Sequence, residues 1–461
     1  MKKLFFCAWM LVCWAGSAPA QTNTGAGVPD WITRPLSLAD VLNLVLQQNA
    51  TILKAKNDLE ASQGIVVQTR AVALPQVQIT GQYKQSERSA IEGISAPPSS
   101  PIPLSIIPPD QNWNAGVQIV QSIYEGGKMV AALRAANVTR QQALAQYQTV
   151  MEDTLLSARI AYYDVLLADQ QITVHEASVN LLQHELEDQQ RRFDAGTVPH
   201  FNVLRADVAV ANERPNLIQA RNNYRIAKNN LSNLLGYNLP RQIWEDIPLD
   251  LRDVLDAAPY PVDLPTAIQQ ALGRRTELIA LRKTTELQRL NVVNAKAGYK
   301  PTVQLFAGYT GNNSQFIDPT DLGYTINGWN AGAQVSWNIF DGLLTHGKVV
   351  QAEALYAKSK TDVEDESRQI ELQVRTAYSD FIEAREVLES QKTVLAEAGE
   401  AQREADARAA AGTGTQLDVL DAQTSLTQAR TTNVQALHDY DTARARLERA
   451  IGADLASQTP K

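Results

Sequence analysis

Cysteine is nearly absent: the 461 residues hold two, Cys7 and Cys13, and both lie in the first twenty. That segment carries Lys2 and Lys3, an apolar run from Leu4 to Trp14 and a small-residue site at Ala18-Pro19-Ala20, the pattern of a signal peptide over 1–20 that is removed on export. A mature chain without cysteine has neither disulfides nor thiolate metal sites. Cys13 follows Val12 rather than a small residue, which argues against a lipid anchor. Beyond the signal no run approaches the roughly 18 consecutive apolar residues of a membrane helix, so any crossing has to use strands. Positive charge is not in excess either. The chain counts 42 basic and 50 acidic residues, and Lys2 and Lys3 leave with the signal, so the exported protein is acidic and a poor nucleic-acid binder. The histidines His175, His184, His200, His346 and His438 are scattered, with no His-Glu-x-x-His spacing and no nucleophile elbow, so neither an enzyme nor a metal or other cofactor is expected.

What the chain does contain is a copy of itself. Leu38–Tyr83 matches Leu264–Tyr309 at an offset of 226, with Pro75 over Pro301. After a loop of different length the offset becomes 216: Trp113 onward answers Trp329 onward, and Ala161–Gly236 answers Ala377–Gly452. The duplication also disposes of a tempting motif. Gly342, Gly347 and Lys348 have phosphate-loop spacing between a strand and a helix, but Val349 stands where magnesium would need Ser or Thr. The first copy, Ile123–Val130, lacks four residues and loses that spacing while keeping its glycine and the Gly-Lys pair. What both copies share is a glycine turn from strand to helix.

Each repeat has two segments of strict alternation. Trp329, Ala331, Ala333, Val335, Trp337 and Ile339 are apolar, whereas Asn330, Gly332, Gln334, Ser336 and Asn338 are polar or small. Val303, Leu305, Ala307 and Tyr309 form a second apolar face, and the first copy supplies Val77, Ile79 and Tyr83, then Val117, Ile119 and Ile123. Segments of about ten residues with this pattern fit transmembrane barrel strands, and Tyr83, Trp113, Tyr309 and Trp329 fit an interfacial aromatic girdle. A soluble sheet with one buried face shows the same alternation. Four strands cannot close a barrel, and an open edge in lipid leaves backbone groups unpaired. The barrel is therefore shared between chains: eight strands from a dimer would fill the lumen with side chains, while twelve from a trimer leave a hole. The inward residues are mostly Gly, Gln, Asn, Ser and Thr, which suits a wet channel and predicts a homotrimer.

From Lys128 to Ala195 no proline interrupts a helix-favouring stretch, which as one helix would span about 100 Å. Gly196 suits a helix C-terminus, and Thr197-Val198-Pro199 starts the return with proline in the first turn. Leu217, Ala220, Tyr224, Ala227, Leu231 and Leu234 then repeat at 3,4,3,4,3, a coiled-coil seam. The second copy turns at Gly412-Thr413-Gly414. Two such hairpins per chain, under the symmetry of the barrel, predict a helical tube that continues the pore.

The whole pattern resembles the TolC-type outer-membrane efflux protein family. The resemblance rests on the two repeats of strand, strand and long hairpin, on Phe340-Asp341-Gly342, and on the tip that starts at Ala411. It implies an α+β membrane protein: a trimeric 12-stranded transmembrane β-barrel, four strands per chain, continued by a periplasmic α-helical coiled-coil barrel. Mature residues 21–461 would form one outer-membrane channel domain, with repeats 38–236 and 264–452 around an irregular linker, 237–263. The implied role is the exit duct of a tripartite efflux or type I secretion system, in outer-membrane lipid. It would be joined by a periplasmic adaptor to an inner-membrane transporter of RND, ABC or MFS type, and would carry small molecules or proteins.

By the same resemblance Asp418 and Asp421 ring the periplasmic aperture, and Gly196, Thr197, Val198, Gly412, Thr413 and Gly414 meet the adaptor. An i, i+3 pair shares a helix face, and symmetry would converge its carboxylates. Asp418 three residues after Thr415 also has the spacing of a capping box. The first-copy equivalents, Asn202 and Arg205, depart from two acids, and Gly414 stands where some members carry arginine, so any lock at the aperture is built differently. Two alternatives are a periplasmic adaptor, which has one hairpin between small β domains, and a soluble helical scaffold. The loop from Lys84 to Asn112 holds six prolines, which stiffen it and remove backbone donors.

Overall fold

The computed structural model of the protein describes residues 34–85, 111–237, 247–313 and 325–453. The signal segment, the proline-rich stretch 86–110 and linker residues 238–246 lie outside the described residues. Two short helices, two strands and two long helices follow in order, and the order then recurs. The first set is α1 (Leu38–Gln48), α2 (Ala50–Ala71), β1 (Gln76–Gln85), β2 (Gln111–Glu125), α3 (Lys128–Asp194) and α4 (His200–Leu234). The second is α5 (Leu264–Arg274), α6 (Thr276–Lys296), β3 (Thr302–Asn313), β4 (Thr325–Ser336), α7 (Leu344–Ala410) and α8 (Gln416–Ile451).

The duplication reaches individual contacts. Asn49, between α1 and α2, donates from its side chain to the Leu234 carbonyl at 2.8 Å. Arg275 holds the corresponding break between α5 and α6 and donates to the Ala450 carbonyl at 3.3 Å. Both pairs obey the two sequence offsets, so one buried side chain per repeat ties the short-helix kink to the end of the returning helix. Ser37 and Asp40 cap α1 reciprocally, and Asp263 accepts from Thr266 N at the head of α5.

Each of α3 and α7 runs unbroken for 67 residues, about 100 Å. Antiparallel returns α4 and α8 pack on them, and the seam predicted on α4 is real: Ala220, Ala227 and Leu231 are buried. Pro199 differs from expectation. It sits at the N-cap with extended ψ, and α4 starts at His200, so the ring never enters the first turn. Apolar cores gather halfway along. One holds Leu36, Val41, Val45, Tyr162 and Leu231 with Ile247 and Leu249 of the linker; the other holds Phe381, Tyr440, Leu447, Leu278 and Ile370. Towards the tips a small cluster of Leu182, Val210 and Leu420 forms, with Leu186 and Ala209 against it.

The strands form one antiparallel sheet in the order β1-β2-β3-β4. They reach further into the loops than expected: Lys84 and Gln85, Gln111 and Asn112, and Thr310–Asn313 all pair. At the other end β4 stops at Ser336, so Trp337 and Ile339 lie beyond the ladder. The strand-to-helix turns differ accordingly. Gly126 follows β2 at φ 64, where an added Cβ would sit 2.6 Å from the Ala297 carbonyl oxygen. Gly342 has nearly the same φ, 66, but open space around it. Gly126→Ala is therefore expected to destabilise the protein by about 2–3 kcal/mol and Gly342→Ala by about 1. Thermal midpoints at one scan rate check this, and equal midpoints for the two variants would refute the close-approach explanation.

Candidate functional site

The two faces of the sheet can be read row by row across the ladder. Ile79, Val117, Tyr309 and Trp329 form one row, and Val77, Ile119, Ala307 and Ala331 the next on that face. Nothing among the described residues covers it: Ile79 is 79% and Trp329 80% exposed. The opposite face carries Gln78, Gln118, Gly308 and Asn330, then Thr80, Gly116, Thr310 and Gly328. Phe306 interrupts that polar face. Its ring lies over Gly332, where an added Cβ would meet Cζ at 3.0 Å.

One irregularity decides which side chains face which way. The β2–β3 register shifts between Ser122 and Tyr124, which leaves Ile123 out of the ladder and sets Tyr124 opposite Val303 and Glu125 opposite Thr302. A one-residue bulge inverts every later side chain. Without it Glu125 would share the face of Val117 and Ile119; with it, the carboxylate joins the polar face with Thr302 and Gln304. Ile123, expected on the apolar face, is the residue displaced. Gln121 does fall on the apolar face, and its amide is satisfied by the Ala73 and Ser122 carbonyls at 3.2 and 2.8 Å.

Tyr83 pairs directly with Trp113, and Tyr309 with Trp329, all on the apolar face. The two pairs stand four residues apart along the ladder, since Val117 rather than Trp113 opposes Tyr309. A second aromatic group, at the helix end of the sheet, escaped the sequence argument. Trp337 donates from Nε1 to the Tyr299 carbonyl at 3.1 Å, and Trp337, Tyr299, Phe340 and Tyr124 are all exposed there. Its signal is Trp337 itself, which the period of two assigns to the strand but which lies one residue beyond the end of β4.

The phosphate-loop candidate disappears at the next turn. Asp341 accepts from Thr345 N at 2.9 Å and from its hydroxyl, so the chain's own carboxylate caps α7 where a phosphate would have to sit. Those bonds, the hydroxyl first, hold the Asp341 carboxyl below its ordinary range.

At the far end, both hairpin tips turn in the same way. Gly196 and Gly412 have φ 74 and 72, and the Thr197 and Thr413 amides donate back to the Arg192 and Arg408 carbonyls at 2.9 and 3.0 Å. Thr415 donates from N and Oγ1 to Asp418 Oδ2 at 2.8 Å each, a completed capping box. The backbone and then the hydroxyl bond keep the Asp418 carboxyl low. Asp418 and Asp421 are exposed on one face of α8, while Val419 and Leu420 are buried on the other. Asn202 accepts from Gln416 Nε2 through its carbonyl at 2.9 Å, and the Arg205 guanidinium stacks on Phe201 at 5.5 Å. Val198, Asn202, Arg205, Gly412 and Gly414 border a hollow of about 410 Å³ between the tips. The two aspartates do not line it.

Between sheet and tips, polar side chains join the repeats. Arg449 of α8 lies 2.8 Å from Asp153 and 3.2 Å from Glu152 on α3, and pairs with Glu277 of α6. Further along the α3–α8 seam Arg159 meets Glu448 at 2.5 Å, and His438 sits 2.8 Å from Asp164. Burial lowers the affinity of His438 for a proton, but the bonds to Asp164 and Asp439 outweigh it and raise its pKa. No group of three or more metal-ligating side chains occurs among the described residues, and no described helix is long and apolar enough to cross a membrane.

An uncovered apolar sheet face, a polar reverse face and two hairpins of about 100 Å on one end define an outer-membrane channel subunit. The family model described as Outer membrane efflux protein matches residues 41–237 and 267–453. The chain belongs to that family. It is 26% identical over 427 residues to the outer membrane protein TolC of Vibrio cholerae serotype O1, covering 90% of each chain. Its fold matches the outer membrane protein VceC of Vibrio cholerae at a TM-score of 0.73 and 19% identity, over 91% of this chain and 96% of that one. It matches the CmeC outer membrane channel of Campylobacter jejuni at 0.74 and 15%, over 90% and 85%. The protein is an outer-membrane efflux duct with a large periplasmic portion.

Proposed function

We propose that three copies of this chain close into one duct and that it forms the exit of a tripartite efflux or type I secretion system. The observation that carries this is the open sheet: β1 and β4 each have one unpaired edge, in a sheet whose apolar face belongs in lipid. Backbone groups left unpaired in lipid cost several kcal/mol each, so β4 of one copy pairs with β1 of the next. Twelve strands leave room for water against the Gln, Asn, Thr and Gly rows. The helices support the same assembly. Phe201, Leu204, Val208, Ile218 and Ile226 form an exposed apolar stripe on α4, opposite its buried seam, which a neighbouring hairpin would cover.

In that trimer Asp418 and Asp421 face the periplasmic opening as six carboxylates, which favours cations over anions. Arg205, with no ion pair among the described residues, reaches an aspartate of a neighbouring hairpin, and Asn202 completes the ring. The tips Gly196-Thr197-Val198 and Gly412-Thr413-Gly414 dock on a periplasmic adaptor, which connects the duct to an inner-membrane transporter that supplies the energy and selects the cargo.

Mass in detergent and planar-bilayer conductance test the assembly together. A trimer with small, cation-preferring conductance is the expected result; a water-soluble monomer without conductance contradicts the duct. Replacing both Asp418 and Asp421 with alanine should raise conductance severalfold and weaken cation preference. Because the mature chain lacks cysteine, Thr413→Cys provides a single crosslinking site, and failure to capture an adaptor hairpin there would remove the docking role.

A further inference from the structure

The Gly-Lys pair that survives in both repeats, and that no phosphate loop explains, leads to a hollow of about 710 Å³ where the sheet meets the helices. Lys128, the first residue of α3, and Lys348, in the second turn of α7, both line it. Around them stand the amides of Gln288, Asn291 and Gln351 and the hydroxyl of Thr302. Neither lysine makes an ion pair or hydrogen bond among the described residues. Glu125 is the one acid among the described residues of the lining, where two lysines stand against it. Two features of the backbone add to the lysines' charge. The α3 N-terminus has no side-chain cap and no acid in its first turn, whereas α7 is neutralised by Asp341. Uncapped N–H groups and the helix dipole both favour anions.

The ladder shows on which side of the wall this hollow opens. Its two strand residues, Glu125 and Thr302, are directly opposed and lie on the polar face with Gln304 and Gln118. Lipid therefore does not reach it, and in the closed barrel it faces the water-filled passage. We propose that this hollow is an anion-binding station of the duct, which takes carboxylate- or phosphate-bearing groups of solutes in transit. Its sign is opposite to that of the aspartates at the tips. Anionic cargo repelled at the periplasmic mouth meets compensating lysines, two per chain, at the entrance to the barrel. The station rests on the trimeric duct.

Inorganic tripolyphosphate is a suitable probe, used on the purified trimer by calorimetry and by block of bilayer current. Wild-type protein should bind it and be blocked, with both effects weakening as salt is raised. Lys128→Gln and Lys348→Gln should each weaken binding, and the double variant should do so by about tenfold or more. Glu125→Gln should tighten it. Lys392→Gln, the same charge change elsewhere on α7, should leave it unaltered. Binding that the double variant leaves intact overturns the station while wild-type conductance still supports the duct. A trimer that conducts but neither binds nor is blocked by tripolyphosphate overturns it as well, and absence of wild-type conductance counts against the duct itself.

Discussion

Arg449→Met should destabilise the protein by about 2–4 kcal/mol per chain, less than stranding fully buried charges would cost, because Glu152 and Glu277 are only partly buried and Asp153 is exposed. Arg449 is 6% exposed and joins three helices through Asp153 and Glu152 on α3 and Glu277 on α6. Arg275 also reaches Glu277, at 3.0 Å, so the cluster holds two arginines against three acids. Removing Arg449 leaves a single arginine for all three. Methionine keeps most of the apolar stem, so the loss reports charge rather than packing.

The pH dependence gives this expectation a sign. Burial raises the Glu277 pKa, but Arg449 and Arg275 outweigh it and set it below the ordinary value. A carboxyl depressed in the folded state adds stability above its unfolded pKa and loses it as pH falls through the folded one. The penalty of Arg449→Met should therefore be largest near neutrality and shrink below about pH 4. Adding Glu277→Gln should recover part of it, because contacting groups do not act additively. Unfolding of such an assembly is read best as a midpoint at fixed scan rate. A penalty independent of pH, with no recovery in the double variant, would show that the arginine acts by shape.

How much of this was readable beforehand follows from sequence distance. The helix over 128–194 was legible because 67 residues without proline or a turn signal leave few alternatives. The tips were legible because a left-handed residue after a helix calls for glycine, and both copies supply it at an offset of 216. Alternation told the two faces of β3 apart because that strand runs regularly from Thr302 to Asn313. It failed in β2, where one displaced isoleucine changes the phase, and alternation alone cannot distinguish a bulge from a continued strand. Beyond β4 the second-copy insertion ends the ladder while the apolar period runs on to Ile339, so Trp337 looked like a strand residue. The cap at Asp418 was legible from its local spacing. The cluster around Arg449 was not, since Glu152, Glu277 and Arg449 meet only through the packing of three helices and leave no periodic trace. The lysine hollow lies between these cases: the Gly-Lys pair was visible, but its purpose depended on Glu125, whose side only the bulge reveals.

Asp441→Asn should stabilise the protein at pH 8 and remove a pH dependence that the wild type shows below neutrality. Asp441 of α8 is 4% exposed, and burial, opposed by Arg444 and Arg159 and reinforced by Asp256, pushes its carboxyl up to about 7. The sign differs from that of Glu277. A carboxyl raised in the folded state binds its proton more tightly there than in the unfolded chain, so stability falls as pH rises from about 4 to 7 and is flat above. The difference amounts to about 2–4 kcal/mol per chain at pH 8. An amide keeps the shape, and its oxygen can still accept from the Asp256 backbone, but it carries no charge to desolvate. His438, three residues away, works in the same direction: its raised pKa adds stability below about 6.5 that is lost as pH rises through the folded value. At these two positions of the α3–α8 seam protons therefore add stability between about pH 4 and neutrality, in the opposite sense to the Arg449 cluster at the end of the same seam. Asp441→Asn should abolish most of the slope between about pH 4 and 7, His438→Gln the slope that begins near 6.5 and continues above it, and the double variant both. A variant less stable than wild type at pH 8 would mean that the ionised Asp441 is held by its arginines strongly enough to offset burial, and the seam would then gain nothing from protons at this position.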